Sequence, residues 1–195
     1  MPPTDDTPLR LFVAVVPPPE VVTHLDASVR PIRDDTLRWS GTHAWHVTLA
    51  FYGDIDPGDV DELGIRIARA ARRHPPAQLQ VTGAGRFGST VLWAGITGDV
   101  AVLGRQANAM AAAGRRLGAG PDRHDRFRPH ITLARARRPV DLRPYVARLA
   151  DYAGPSWAAT EVVLFSSHAD ARPGRGPRYE ALGRYRLEGV TARRR

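Results

Sequence analysis

Apolar and polar positions along this chain fall into short strand-like runs separated by longer helix-like stretches. Residues 9–18, LRLFVAVVPP, form a Val-rich run closed by prolines and read as a buried strand. Residues 19–32 place Val22, Leu25 and Val29 at helical spacing behind Pro19, a favoured first helical residue. Residues 44–53, AWHVTLAFYG, read as a strand ended by Gly53 and Asp54. Residues 56–73 predict an amphipathic helix, with Asp in its first turn and Arg72 and Arg73 in its last, as the macrodipole favours. Residues 77–88 alternate into a further strand. The order then repeats: a strand at 90–99, an Ala-rich helix at 101–118, a strand over 127–136, a helix at 140–152 with Pro144 in its first turn, and a strand at 159–170. Residues 178–189 add one more strand, and 190–195 form a basic tail.

Equivalent elements keep a nearly constant offset. Val13 lies 80 residues before Trp93, His46 84 before His130, and Val81 83 before Leu164. Such an offset marks an internal duplication, over about 9–88 and 90–170. The expected fold class is α+β: one bilobal domain over 1–195 with a pseudo-twofold axis. Each lobe is a mostly antiparallel sheet covered by two helices, with a central cleft between the lobes.

The duplication is most exact where the chemistry is richest. HVTLA at 46–50 and HITLA at 130–134 differ only by Val47 against Ile131. Residues two apart on a strand share a face. His46 and Thr48 therefore point one way while Val47 and Leu49 point to a core, and His130 and Thr132 repeat the arrangement. If the two strands face each other across the axis, two imidazoles and two hydroxyls converge. Near neutral pH one imidazole can take a proton while the other gives one. The hydroxyls can hold phosphoryl oxygens where charge develops. The bland alternative is a pair of satisfied histidines on half-buried strands. A metal site is the rival chemistry, but it wants a third His or a carboxylate, and these segments offer Thr. No metal and no cofactor are expected.

Composition adds two points. The basic residues, 28 against 20 acidic, leave a net charge of +8, and all are Arg, whose planar fork suits phosphate. An anionic or nucleic-acid partner fits this charge, as does a soluble surface of biased composition. Cysteine is absent from the 195 residues, no run is long enough to span a bilayer, and the first residues do not resemble an export signal. A cytoplasmic protein with no membrane association is expected, and no obligate protein partner is evident.

The paired H-x-T-x segments resemble the signature of the 2H phosphoesterase superfamily. With RLFVAVVPP, HVTLAFYGDI, RPHITLAR and VVLFSSHADARPGRGPRYEAL, the chain is similar over residues 9–188 to the RNA 2′,3′-cyclic phosphodiesterases, also named 2′-5′ RNA ligases. The resemblance implies metal-independent hydrolysis of a 2′,3′-cyclic phosphate on RNA ends or nucleotides to a 2′-phosphate. By motif, His46 would protonate the leaving 3′ oxygen, His130 would act as base, and Thr48 and Thr132 would bind phosphate oxygens. In the reverse sense, a 5′-hydroxyl attacking the cyclic phosphate would give a 2′-5′ linkage. The pseudo-symmetry of the site leaves the acid and base assignment open.

Phe51 and Arg135 each follow their histidine by five residues, and in relatives this aromatic and this Arg lie beside the nucleotide. Strand parity puts both on the side opposite the histidine, so packing is the competing reading for Phe51, but both lie near a strand end where the chain can turn toward the cleft. Arg128 shares the face of His130 and is a second basic candidate, and Tyr179 matches a family position. His43 and His168 read as surface or supporting residues, and His24, His74 and His124 as helix-face or loop residues. A non-catalytic RNA or nucleotide-phosphate binding module, and a 2H phosphodiesterase acting on another small phosphodiester, are the alternatives.

Overall fold

The computed structural model describes residues 7–119, 127–168 and 176–189. Its strands are β1 (Leu9–Val15), β2 (Arg38–Trp39), β3 (Val47–Ile55), β4 (Ala77–Phe87), β5 (Val91–Gly98), β6 (His130–Arg135), β7 (Ala153–Ala159), β8 (Glu161–His168) and β9 (Arg178–Arg186). Its helices are α1 (Pro19–Val29), α2 (Val60–Arg72), α3 (Val100–Arg115) and α4 (Arg143–Arg148). The strands form one sheet in the order β7-β4-β5-β6-β3-β1-β8-β9, with β2 also pairing β6. Every pairing is antiparallel.

The two motif strands do not face each other across a gap. They are neighbours at the middle of the sheet, where Val47 lies opposite Ile131. Both of these side chains are fully buried. The order on one side of this junction, β6-β5-β4-β7, mirrors β3-β1-β8-β9 on the other. The outer strands cross over: β4, from the first repeat, pairs β5 and β7 of the second, while β8, from the second repeat, pairs β1 of the first. Helices cross in the same way. α1 packs on β7 and α4 on β4, whereas α2 packs on β8 and β9 and α3 on β3.

One face of the sheet carries the helices and the core. Leu11, Val13 and Val15 of β1 enter that core with Val47, Ile131 and Leu133. α2 adds Leu63, Ile67 and Ala71, spaced four apart on one stripe, with Asp61 and Glu62 in its first turn and Arg69 and Arg72 in its last. Burying a side chain the size of Leu63 or Ile67 contributes about 2 kcal/mol each. In α1 the buried stripe is Val21, Leu25 and Val29, so it starts one residue before the expected Val22.

Two elements differ from the sequence expectation. The helix expected over 140–152 is reduced to α4. Its entry is fixed by Asp141, whose carboxylate accepts from the Arg143 backbone N–H at 3.0 Å. Residues 153–159 form β7 instead of continuing as helix or loop. Gly154 and Pro155 disguise it, and Pro155 is tolerated because β7 is an edge strand. Among the described residues, no helix is long and apolar enough to cross a membrane.

Candidate active site

The face of the sheet opposite the helices bears the two histidines. Each is held in the same way. His46 Nδ1 lies 2.7 Å from the carbonyl oxygen of Ala44, and His130 Nδ1 lies 2.7 Å from that of Arg128. A carbonyl only accepts, so Nδ1 carries the proton in both rings, and Nε2 is left for a ligand. Buried Trp45, between Ala44 and His46, anchors the first turn, which residues 42–44 close as a short 3-10 helix. Extending the Val47–Ile131 register sets Thr132 across from His46 and His130 across from Thr48. Directly opposed residues project to one face, so the four groups gather around the junction.

Aromatic rings wall each histidine with different residues. Phe12 stands 4.8 Å from His46 between ring centres, and Tyr179 meets His46 edge-on at 5.2 Å. Phe165 stacks on Phe12 at 5.2 Å. On the other side Phe87 meets His130 edge-on at 4.8 Å, and Trp93 lies 6.0 Å away. The Arg128 guanidinium sits about 6 Å above both Phe87 and Trp93. A Cβ added to Gly85, which pairs with Trp93, would come within 2.2 Å of the indole, so this glycine makes room for the ring.

Phe51 and Arg135 do not follow simple strand parity. On β3 the β1 register slips by one residue, from Val13–Ala50 to Ala14–Thr48, and on β6 the β5 register slips equally, from Leu92–Ala134 to Trp93–Thr132. Each slip is a bulge, and an extra residue reverses the facing of everything beyond it. Leu49 and Ala50 are consequently both buried, as are Leu133 and Ala134, while Phe51 and Arg135 emerge exposed. Phe51 lies 5.7 Å from Phe12, and Arg135 acts electrostatically on both His130 and Tyr179. Simple parity, which puts both on the side opposite the histidines, fails because of these paired bulges.

The electrostatics of the two histidines differ. The His46 pKa is lowered to about 4, chiefly by burial and in part by neighbouring His130, against the Ala44 hydrogen bond. His130 is also lowered, first by burial and then by Arg135 and Arg128, against the hydrogen bond to the Arg128 carbonyl. Burial raises Tyr179, and Arg135 and Arg38 oppose that shift.

Other histidines stand outside this cluster. His24 Nδ1 is 3.0 Å from the Tyr152 hydroxyl, and His168 Nε2 is 3.3 Å from a Glu180 carboxylate oxygen. His43 is exposed, burial lowers the pKa of His74, and His124 lies outside the described residues. Among the described residues, no three His, Asp or Glu side chains gather to hold a metal ion. Phe12, Phe87, Trp93, Phe165 and Arg38 were not among the site residues expected from the sequence. The signal was an aromatic inside an aliphatic strand run, as in LFVAV and VLWAG.

Comparison with known proteins accounts for this arrangement. The model of the 2′-5′ RNA ligase superfamily matches residues 17–171, and the chain belongs to that superfamily, the 2H phosphoesterases. The chain is 30% identical over 157 residues to an RNA 2′,3′-cyclic phosphodiesterase of Geobacillus stearothermophilus, covering 78% of this chain and 48% of that protein. It thus spans about half the length of that relative. It is 29% identical over 197 residues to the Thermus thermophilus RNA 2′,3′-cyclic phosphodiesterase, covering 95% of this chain and 93% of that one. The crystal structure of E. coli LigT complexed with 3′-AMP superposes with a TM-score of 0.73 at 27% identity, covering 93% of this chain and 98% of LigT.

Proposed function

We propose that this enzyme opens 2′,3′-cyclic phosphates on RNA ends or nucleotides to 2′-phosphates, with His46 as acid and His130 as base. The observation that carries the reading is the matched pair of histidines, each with Nδ1 tied to the carbonyl two residues earlier and Nε2 without a hydrogen bond among the described residues. Water, deprotonated by His130 Nε2, attacks phosphorus. The bond from phosphorus to the 3′ oxygen breaks, and His46 Nε2–H protonates the departing oxygen. Thr48 and Thr132 hold the non-bridging oxygens. A 5′-hydroxyl in place of water gives a 2′-5′ linkage by the same proton transfers.

The division of labour follows the family motif, since burial is the first cause of a lowered pKa in both rings. Burial, and after it Arg135 and Arg128, lower the His130 pKa and favour the neutral ring that a base requires. His46 is lowered mainly by burial, a cost that a phosphate anion beside it offsets. His46 then gains its proton when substrate binds. The named activities of the Geobacillus and Thermus relatives, and the 3′-AMP bound by LigT, agree with the substrate class.

The test is turnover of a nucleoside 2′,3′-cyclic phosphate, with the product assigned as 2′- or 3′-phosphate. His46→Ala and His130→Ala are each expected to lower kcat at least a thousandfold while the circular dichroism spectrum stays native. EDTA is expected to have no effect. Tight binding without turnover by the wild type would instead identify a nucleotide-phosphate receptor.

A further inference from the structure

β2 is only two residues long, yet it is fixed from every side. Leu37 before it is buried. The Trp39 indole N–H donates to the Asp34 carbonyl at 3.0 Å, and its ring packs edge-on against Tyr145. The Ser40 N–H donates to the Leu133 carbonyl at 2.8 Å. This anchoring sets Arg38 directly opposite Arg135 on β6. Opposed residues of an antiparallel pair project to the same face. The bulge in β6 has turned Arg135 toward the histidines, so Arg38 projects there too. Both guanidinia are exposed, and the Tyr179 hydroxyl feels both charges.

Like charges directly opposite one another on a sheet are destabilising. Here a rigid strand holds them so, and neither has an ion-pair partner among the described residues. The nearby carboxylate of Asp34 is engaged by the Tyr145 hydroxyl and the Thr36 N–H. Two unpaired planar forks on one face make a site for an oxyanion, with bidentate geometry open to each. This pair lies beyond the bulge from Thr132, and so alongside the position of the reacting phosphate, not on it.

We propose that Arg38, with Arg135, binds a second phosphate of the substrate, 5′ to the reacting nucleotide, so that the enzyme selects RNA ends over cyclic mononucleotides. The proposal rests on the phosphodiesterase reading above and extends it to substrate length. Arg38 is then a specificity residue: it touches no reacting atom and acts chiefly on KM.

The experiment compares kcat/KM for a cyclic mononucleotide, a dinucleotide ending in a cyclic phosphate, and the same dinucleotide with a neutral methylphosphonate linkage. The wild type is expected to favour the charged dinucleotide about tenfold over the other two. In Arg38→Ala the charged dinucleotide loses about tenfold more kcat/KM than the mononucleotide, through KM, and the linkage charge ceases to matter. Arg38→Lys recovers part of the preference, since a point charge replaces the fork. A mononucleotide bearing both a 5′-phosphate and the cyclic phosphate tells whether any second phosphate suffices or the chain is needed. Equal losses on all substrates in Arg38→Ala, or a wild type indifferent to linkage charge, would overturn the proposal. Titration calorimetry with a nucleoside 3′-phosphate and a dinucleotide 3′-phosphate reads the same preference without turnover. Failure of the phosphodiesterase reading therefore shows as absent turnover, and failure of the second site as equal affinities.

Discussion

At the residue scale, burial gives the protein a built-in acid sensitivity. His46 is held neutral in the folded state, with its pKa lowered from 6.5 to about 4. As pH falls through about 6.5 the unfolded chain takes up a proton on this ring, while the folded chain does so only near 4. Stability is full above that upper value, declines across the interval and stays low below it. The loss from His46 is about 3 kcal/mol, and His130 adds a loss of the same sign. Urea unfolding at pH 7.5 and at pH 4.5 measures the loss. His46→Gln is expected to shrink the difference between the two pH values by that amount. Saturating phosphate is expected to shrink it in the wild type, because a bound anion favours the imidazolium. An unchanged pH dependence in His46→Gln would show that the ring is solvated in the folded protein.

At the element scale the site depends on backbone register more than on side-chain alternation, and this limits what the sequence reveals. The His-Thr pairs are legible because HVT and HIT obey period two from the junction outward. Phe51 and Arg135 are not, because each lies past a bulge that alternation cannot show. The trace of each bulge is a pair of adjacent apolar residues, Leu49-Ala50 and Leu133-Ala134, both buried where a regular strand would bury one. β7 escaped for another reason: Gly154 and Pro155 argue against a strand anywhere but at an edge. The same dependence gives a prediction at Gly85. A methyl group there must displace the Trp93 indole, and Trp93 walls His130. Gly85→Ala is expected to lower kcat/KM about tenfold, with an overpacking cost of about 1–3 kcal/mol. Adding Trp93→Phe, a smaller ring, is expected to recover much of both losses, as contacting residues couple. Additive losses in the double variant would mean that the ring and the glycine act independently.

At the scale of the whole molecule, the exchange of outer strands decides how the protein unfolds. A duplication of two self-contained lobes would let each melt separately. Here β4 has both its neighbours, β5 and β7, in the second repeat, and β8 lies against β1 from the first. α1 leaves β1 to pack on β7 across the sheet. Neither half can complete its sheet or cover its core without the other, and the core residues of both belong to one cluster. The histidines sit at the seam, so opening the seam would separate His46 from His130 before anything else. The expected outcome is one calorimetric transition whose calorimetric and van't Hoff enthalpies agree. Phosphate, which under the proposed function binds between both histidines, should raise the Tm of that single transition as a unit. Two resolved transitions, with only one moved by phosphate, would mean that the halves fold independently and that the exchanged strands contribute little to their coupling.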